Sequence, residues 1–249
     1  MYDLATRRHA VDLLTAGLTL SQVSRVTGVS RSALREWTAR LEPSPRMTAE
    51  CPVPSGRLDP AVPRDTYSYL LGLYLGDGCL SEERRGVHAL RIACANAWPG
   101  LIDECEQAVT AVMPHRRVHR VRAPGCVSVV SRSKHWPCLF PQHGPGPKHR
   151  RPVALADWQL PIVDRHPWPL IRGLVHSDGC RLVNRVGRYS YSRYLFTNRS
   201  ADIVGLYTRA LDAVRVEWRS ARRADGTVDV SVARRESVAL MDARVGPKS

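Results

Sequence analysis

Apolar positions along the chain fall into three regimes. From residue 4 to 41 they recur at helical spacing. Val11 and Leu14 belong to a first helix expected from Arg7 to Ala16, Val23 to a second from Leu20 to Thr27, and Leu34 and Trp37 to a third that Ser30 caps and that runs to Leu41. Gly28 marks the turn before the third helix, with Val29 packing under it. Residues 43–65 lose this periodicity and carry prolines at 43, 45, 52, 54, 60 and 63, the composition of a linker. From residue 66 onward, helical stretches alternate with runs of Val, Ile, Thr and Tyr at twofold spacing. This predicts strands and an α+β domain after the small all-α one.

The α+β segment contains one pattern twice. Leu70-Leu-Gly-Leu-Tyr-Leu-Gly-Asp-Gly78 returns as Ile171-Arg-Gly-Leu-Val-His-Ser-Asp-Gly179, placing Asp77 and Asp178 101 positions apart. Downstream, the strand Leu90–Asn96 with the helix Leu101–Val112 matches Tyr194–Asn198 with Ile203–Val214, and Val127–Lys134 matches Val228–Arg235. Each half therefore predicts helix, strand, strand, helix, strand, strand, helix: two αββαββα repeats over 66–142 and 153–249. One half alone exposes an apolar helix and a sheet face; two cover each other about a pseudo-twofold axis. The Pro/Gly-rich connector 143–152 carries three positive charges and no acid. It reads either as a solvated linker or as a loop on phosphate, with Lys148 the residue to reach it.

Gly72-x-x-x-Gly76 and Gly173-x-x-x-Ser177 put small residues one turn apart, which lets two helix backbones approach closely. Gly78 and Gly179 end those helices. Asp77 and Asp178 then meet at adjacent helix ends, where two carboxylates repel unless a cation lies between them. Hard oxygen donors beside phosphate suit Mg²⁺. A single Asp-Gly would be an ordinary helix end; two in register point to a site.

The paired nonapeptides resemble the motifs of the LAGLIDADG homing endonucleases, over residues 66 to about 245. The resemblance implies that Asp77 and Asp178 are the catalytic metal-binding pair, one for each DNA strand. It implies a supporting polar residue on a flanking strand, matched in position by Asn96 and Asn198. It also implies a basic residue after the last strand of each half, for which Lys134 and Arg234 are the nearest candidates, with Arg132 and Arg235 as alternatives. His176 departs from the motif, whose consensus there is acidic. Cys79 and Cys180, just after each motif, read as small strand-start residues. The N-terminal segment resembles a helix-turn-helix of the resolvase or transposase type, which turns Arg31, Ser32 and Arg35 to the major groove; a plain three-helix bundle would leave them solvated.

Charge sharpens the picture. The chain carries 37 Lys and Arg against 23 Asp and Glu, a net charge of +14, and only three of the basic residues are lysines. Residues 1–42 contribute 6 − 4 = +2, residues 43–65 contribute 3 − 3 = 0, and residues 66–249 contribute 28 − 16 = +12. A polyanion partner is implied, double-stranded DNA above all, with the footprint on the repeats. Seven cysteines without a C-x-x-C pair argue against a disulfide framework or a Cys-based zinc site and fit a reducing cytosol. No apolar run reaches the ~18 residues of a membrane span, and the first residues lack a signal peptide's apolar stretch. The expectation is a cytoplasmic, monomeric, Mg²⁺-dependent double-strand DNA endonuclease. The alternative is a non-cleaving LAGLIDADG/helix-turn-helix transcriptional regulator. A maturase-like RNA binder ranks third, because the helix-turn-helix points to duplex DNA.

Overall fold

The computed structural model describes residues 2–39, 41, 51–246 and 248–249. The chain divides into two compact units, one before residue 50 and one from there on. No described helix is long and apolar enough to cross a membrane.

The N-terminal unit is three helices, α1 (Leu4–Thr15), α2 (Leu20–Thr27) and α3 (Arg31–Ala39). Thr19 and Gln22 cap α2 reciprocally. Gly28 adopts a left-handed conformation (φ 68°) that an L side chain would resist, ending α2. Ser30 Oγ accepts from the Ala33 amide to start α3. Ala10, Val23, Val29, Leu34 and Trp37 form the core, with Val11 and Leu14 against it. The first helix begins three residues earlier than its apolar spacing predicts, because the Asp3 side chain caps it at Thr6.

The C-terminal unit realises the predicted repeat. The first half runs α4 (Arg64–Asp77), β1 (Gly78–Glu82), β2 (His88–Ala95), α5 (Pro99–Val112), β3 (Val118–Ala123), β4 (Cys126–Ser133) and α6 (Trp136–Leu139). After an extra short helix α7 (Leu160–Arg165), the second runs α8 (Pro167–Asp178), β5 (Gly179–Val186), β6 (Tyr189–Asn198), α9 (Ala201–Ala213), β7 (Arg219–Arg222), β8 (Val228–Val232) and α10 (Arg235–Arg244). The two antiparallel sheets share one topology, β1-β2-β4-β3 and β5-β6-β8-β7. Leu90, Ile92 and Cys94 of β2, with Tyr194 and Phe196 of β6, turn to the helices and one shared core.

That core is organised around α4 and α8. Every residue of α4 from Tyr67 to Leu75 is buried, so this helix is apolar all round and lies inside the unit. Burying each leucine contributes about 1.5–3 kcal/mol. The closest approach falls on the glycines. A Cβ on Gly72 would sit 2.6 Å from the Leu170 carbonyl oxygen, and one on Gly173 would sit 2.2 Å from that of Tyr69.

The described part of the proline-rich segment and the basic connector both make specific contacts with the fold. Residues 51–63 run over the core and bury Leu58 and Val62. The Arg64 guanidinium gathers the carbonyls of Leu58, Asp59 and Val62 at 2.5–2.9 Å. Composition alone misses this, since a proline-rich arm makes its contacts through backbone carbonyls and two isolated side chains; residues 43–50 lie outside the described part. The connector 143–152 is irregular apart from one 3-10 turn, Lys148–Arg150, and it is fastened. Arg151 donates to the Gln142 carbonyl, the Gln142 side chain donates to Ala154 O at 3.0 Å, and the Val153 amide donates to Asp202 at 2.8 Å.

Candidate active site at the paired helix ends

Asp77 is the last residue of α4 and Asp178 the last of α8. Because the helices touch at their glycines, both carboxylates emerge at the same end of the pair. A Cβ on Gly76 would lie 3.0 Å from Asp178 Oδ2, so the second carboxylate rests against the end of the first helix. Each chain leaves its helix through a glycine whose amide caps it, Gly78 to Tyr74 O and Gly179 to Val175 O.

The electrostatics are those of a loaded pair. Asp77 shows much of its own surface to solvent, yet protein walls surround it. Burial first, then the Asp178 charge, push its carboxyl up to about 6. Asp178 is half-buried and is also raised by burial, an effect opposed by a hydrogen bond from Asn198 Nδ2 to Asp178 Oδ2 at 2.7 Å. Asn198 is itself held, its Oδ1 accepting from the Ser200 amide at 2.7 Å. Asn96 stands just beyond β2, exposed; its backbone amide bonds Gly125 O, and its side chain has no hydrogen bond among the described residues. The structure brings Asn198 to its aspartate and leaves Asn96 free.

The cations beside the pair are Lys148 and Lys248. Lys148 Nζ donates to the carbonyls of Gly76 (2.9 Å) and Gly78 (2.5 Å), neutralising the end of α4. Lys248 Nζ donates to Ser177 O at 3.3 Å, at the end of α8. Each helix end thus has one lysine, 100 residues apart. Burial lowers both ammonium groups, Lys148 to about 8, while the two aspartates pull the other way. Lys148, expected to meet phosphate from a connector, sits at the carboxylates. Lys248 carried no sequence signal except a spacing that matches the repeat. Lys134 is an exposed turn residue after β4, and Arg234 pairs with Glu217 at 2.7 Å before α10; neither is among the main charges acting on the two carboxylates.

His176 occupies the motif's acidic position from a buried place. Its Nδ1 lies 3.0 Å from Tyr69 OH, and burial pushes it down to about 4, so the ring is neutral near pH 7. A neutral ring avoids putting a second carboxylate beside Glu104, which is 3.8 Å away.

An open cavity of about 440 Å³ lies on the Asp178 side, lined in part by Lys148, Asp178, Asn198 and Arg199. Two carboxylates raised toward neutrality, with Lys148 and Lys248 the cations acting on both, are a hard-oxygen donor set that fits a divalent cation. Away from the helices, the sheets present Arg91, Arg132, Arg193 and Arg219 among small or polar residues such as Ser81, Ala93, Ser128 and Ser231. In the N-terminal unit, Arg31, Ser32 and Arg35 are all exposed on α3.

No protein-family model and no curated protein matches this chain. Solved structures do. The homing endonuclease I-DmoI in complex with DNA and Mn is 12% identical, over 73% of this chain and 97% of that chain, with a TM-score of 0.50. An I-DmoI variant with its target DNA nicked in the coding strand is 14% identical, over 73% and 96%, with a TM-score of 0.52. The N-terminal LAGLIDADG domain of DUF199/WhiA is 10% identical, over 74% and 83%, with a TM-score of 0.47. At such identities the likeness establishes the fold: the chain carries a two-motif, single-chain LAGLIDADG architecture.

Proposed function

We propose that this protein binds double-stranded DNA and hydrolyses both strands at a chosen site, using a divalent cation held by Asp77 and Asp178. The observation that carries this is the pair itself: two carboxylates, one from each repeat, at touching helix ends, each raised above its ordinary range and each with a lysine beside it.

A divalent cation bound there supplies Lewis-acid stabilisation of the scissile phosphate and an activated water. Mg²⁺ is the physiological choice, and the I-DmoI complex with Mn supports a divalent ion. The remaining chemistry belongs to the chain. Asn198 fixes the Asp178 carboxylate in one orientation and favours its charged form. Lys148 and Lys248, anchored on carbonyls, present fixed positive charge where negative charge accumulates on the phosphate. The arginine-bearing sheet faces draw the duplex backbone. One chain suffices, because the duplication supplies both carboxylates, so a monomer is expected. The three-helix unit adds affinity or site choice through Arg31, Ser32 and Arg35, and deleting residues 1–39 should weaken DNA binding without abolishing strand hydrolysis.

A second reading keeps the DNA and drops the cleavage, making this a LAGLIDADG-fold regulator. What favours it is the exposed Arg31 and Arg35 face of α3 together with the unmatched Asn96. Selection of bound sites from random duplexes, followed by incubation with Mg²⁺ and sequencing of the ends, separates the two. Discrete ends at the selected site support the nuclease; intact, bound sites support the regulator.

A further inference from the structure

Far from the paired aspartates in sequence, three soft or borderline donors converge. The sulfurs of Cys51 and Cys138 and a ring nitrogen of His135 all lie within 4.8 Å of one another. Cys51 opens the arm 51–63, and His135 and Cys138 flank the turn that begins α6. No sequence pattern announces this. The cysteines are 138 − 51 = 87 residues apart and neither has a C-x-x-C partner.

We propose that Cys51, His135 and Cys138 form a Zn²⁺ site that clasps the arm to the first repeat, with a water completing the tetrahedron. The donor chemistry selects the ion. Two thiolates and an imidazole favour zinc over Mg²⁺, which takes oxygen. Zn–S bonds of about 2.3 Å and Zn–N bonds of about 2.0 Å give donor–donor edges of about 3.5–3.8 Å in a tetrahedron, within the spacing found.

The donors are also held in place. Trp136, Leu139 and Phe140 around the turn are buried, and Trp136 Nε1 donates to Ser131 O at 3.1 Å. The Cys138 amide bonds His135 O at 3.1 Å, so the i and i+3 side chains share one side of a helical turn. On the other segment, Pro52 is buried and its carbonyl accepts from the Asp59 amide at 2.8 Å. Neither ring nitrogen of His135 has a hydrogen-bond partner among the described residues, which leaves the ligand lone pair unspent. All three residues are half-buried, open enough for an ion to enter.

The consequence is structural. A zinc clasp closes a long loop and ties the start of the C-terminal unit to the β4–α6 corner, stabilising the folded state by the ion's preference for it. The site shares no residue with the aspartate pair, so its fate is independent of the nuclease proposal.

The test uses the full chain, produced with zinc in the medium and purified in reductant. Metal analysis should find one zinc per chain, absent from Cys51→Ser and Cys138→Ser but retained by Asp77→Asn and by Cys126→Ser. Replacement by Co²⁺ should give thiolate-to-metal charge-transfer bands and the intense visible bands of a tetrahedral site, weakened in His135→Gln, which keeps both sulfurs. Added zinc should raise the melting temperature of the parent and leave that of Cys51→Ser unmoved. Zinc-free parent protein, zinc retained undiminished by Cys51→Ser, loss of zinc in Asp77→Asn, or a Cys51–Cys138 disulfide in the reductant-purified chain would each overturn the site.

Discussion

Asn198 donates to Asp178 across 2.7 Å, and its repeat partner Asn96 makes no such bond to Asp77. The two halves of the site are therefore unequal, although the sequence presents them as copies. Asn198→Ala should raise the Asp178 carboxyl further, since the lost bond is one that lowers it. Proton competition for the ion should therefore extend to higher pH, and divalent-ion binding should set in at a higher pH than in the parent. Asn96→Ala should move that onset far less. Calorimetric titration of both variants with Mn²⁺ across this pH range checks this, and equal shifts would sink the asymmetry.

Burial of the Asp77 carboxylate, and then the Asp178 charge beside it, destabilise the metal-free protein at neutral pH. With its folded carboxyl raised from 3.8 to about 6, Asp77 contributes stability that is fully present below pH 3.8 and lost as pH rises through about 6. Asp77→Asn removes that loss. In chelator at pH 7–8 the variant should melt above the parent, the gap closing toward pH 4, while its divalent-ion binding disappears. A variant that melts lower at pH 8 would contradict the raised Asp77 carboxyl.

Titration also sets the pH range of activity. Asp77 must lose its proton near pH 6 to bind a cation, and Lys148 loses its charge near pH 8. Cleavage should rise through about 6 and decline above about 8, a bell with two residues behind it. Lys148→Met should flatten the alkaline limb and lower single-turnover cleavage on the order of 10²-fold, the usual loss for one electrostatic stabiliser. Its DNA affinity should shift little, with the salt slope reduced by about one unit at most.

Backbone contact between α4 and α8 is what sets the carboxylates side by side. Gly173→Ala would put a methyl 2.2 Å from the Tyr69 carbonyl oxygen, with no flexible side chain to yield. Overpacking of this kind costs about 1–3 kcal/mol or more. Gly205→Ala, inside α9 with open space around its Cβ, should be neutral or stabilise by about 0.5–1 kcal/mol. Denaturant midpoints of the two variants decide the point.

Much of this was legible in the chain. The duplicated nonapeptides, the alternation around Leu90 and Tyr194, and the capping glycines fixed both repeats and put Asp77 and Asp178 at helix ends. The lysines were harder. Lys148 lies in a segment whose prolines read only as irregular, and Lys134 sits where a basic residue was expected after a last strand. Which of them turns inward depends on the straps through Arg151, Gln142 and Val153, which are tertiary. The proximity of Cys51 to Cys138 is invisible for the same reason, since neither segment has a pattern that names the other.

The most direct measurement is cleavage of the selected duplex by parent and Asp77→Asn protein, with and without Mg²⁺, read on each strand separately. The proposed site predicts cuts on both strands by the parent only with Mg²⁺, and no double-strand break from the variant even though it still binds the duplex. Binding without any cut by the parent, or equal cutting by Asp77→Asn, would contradict it.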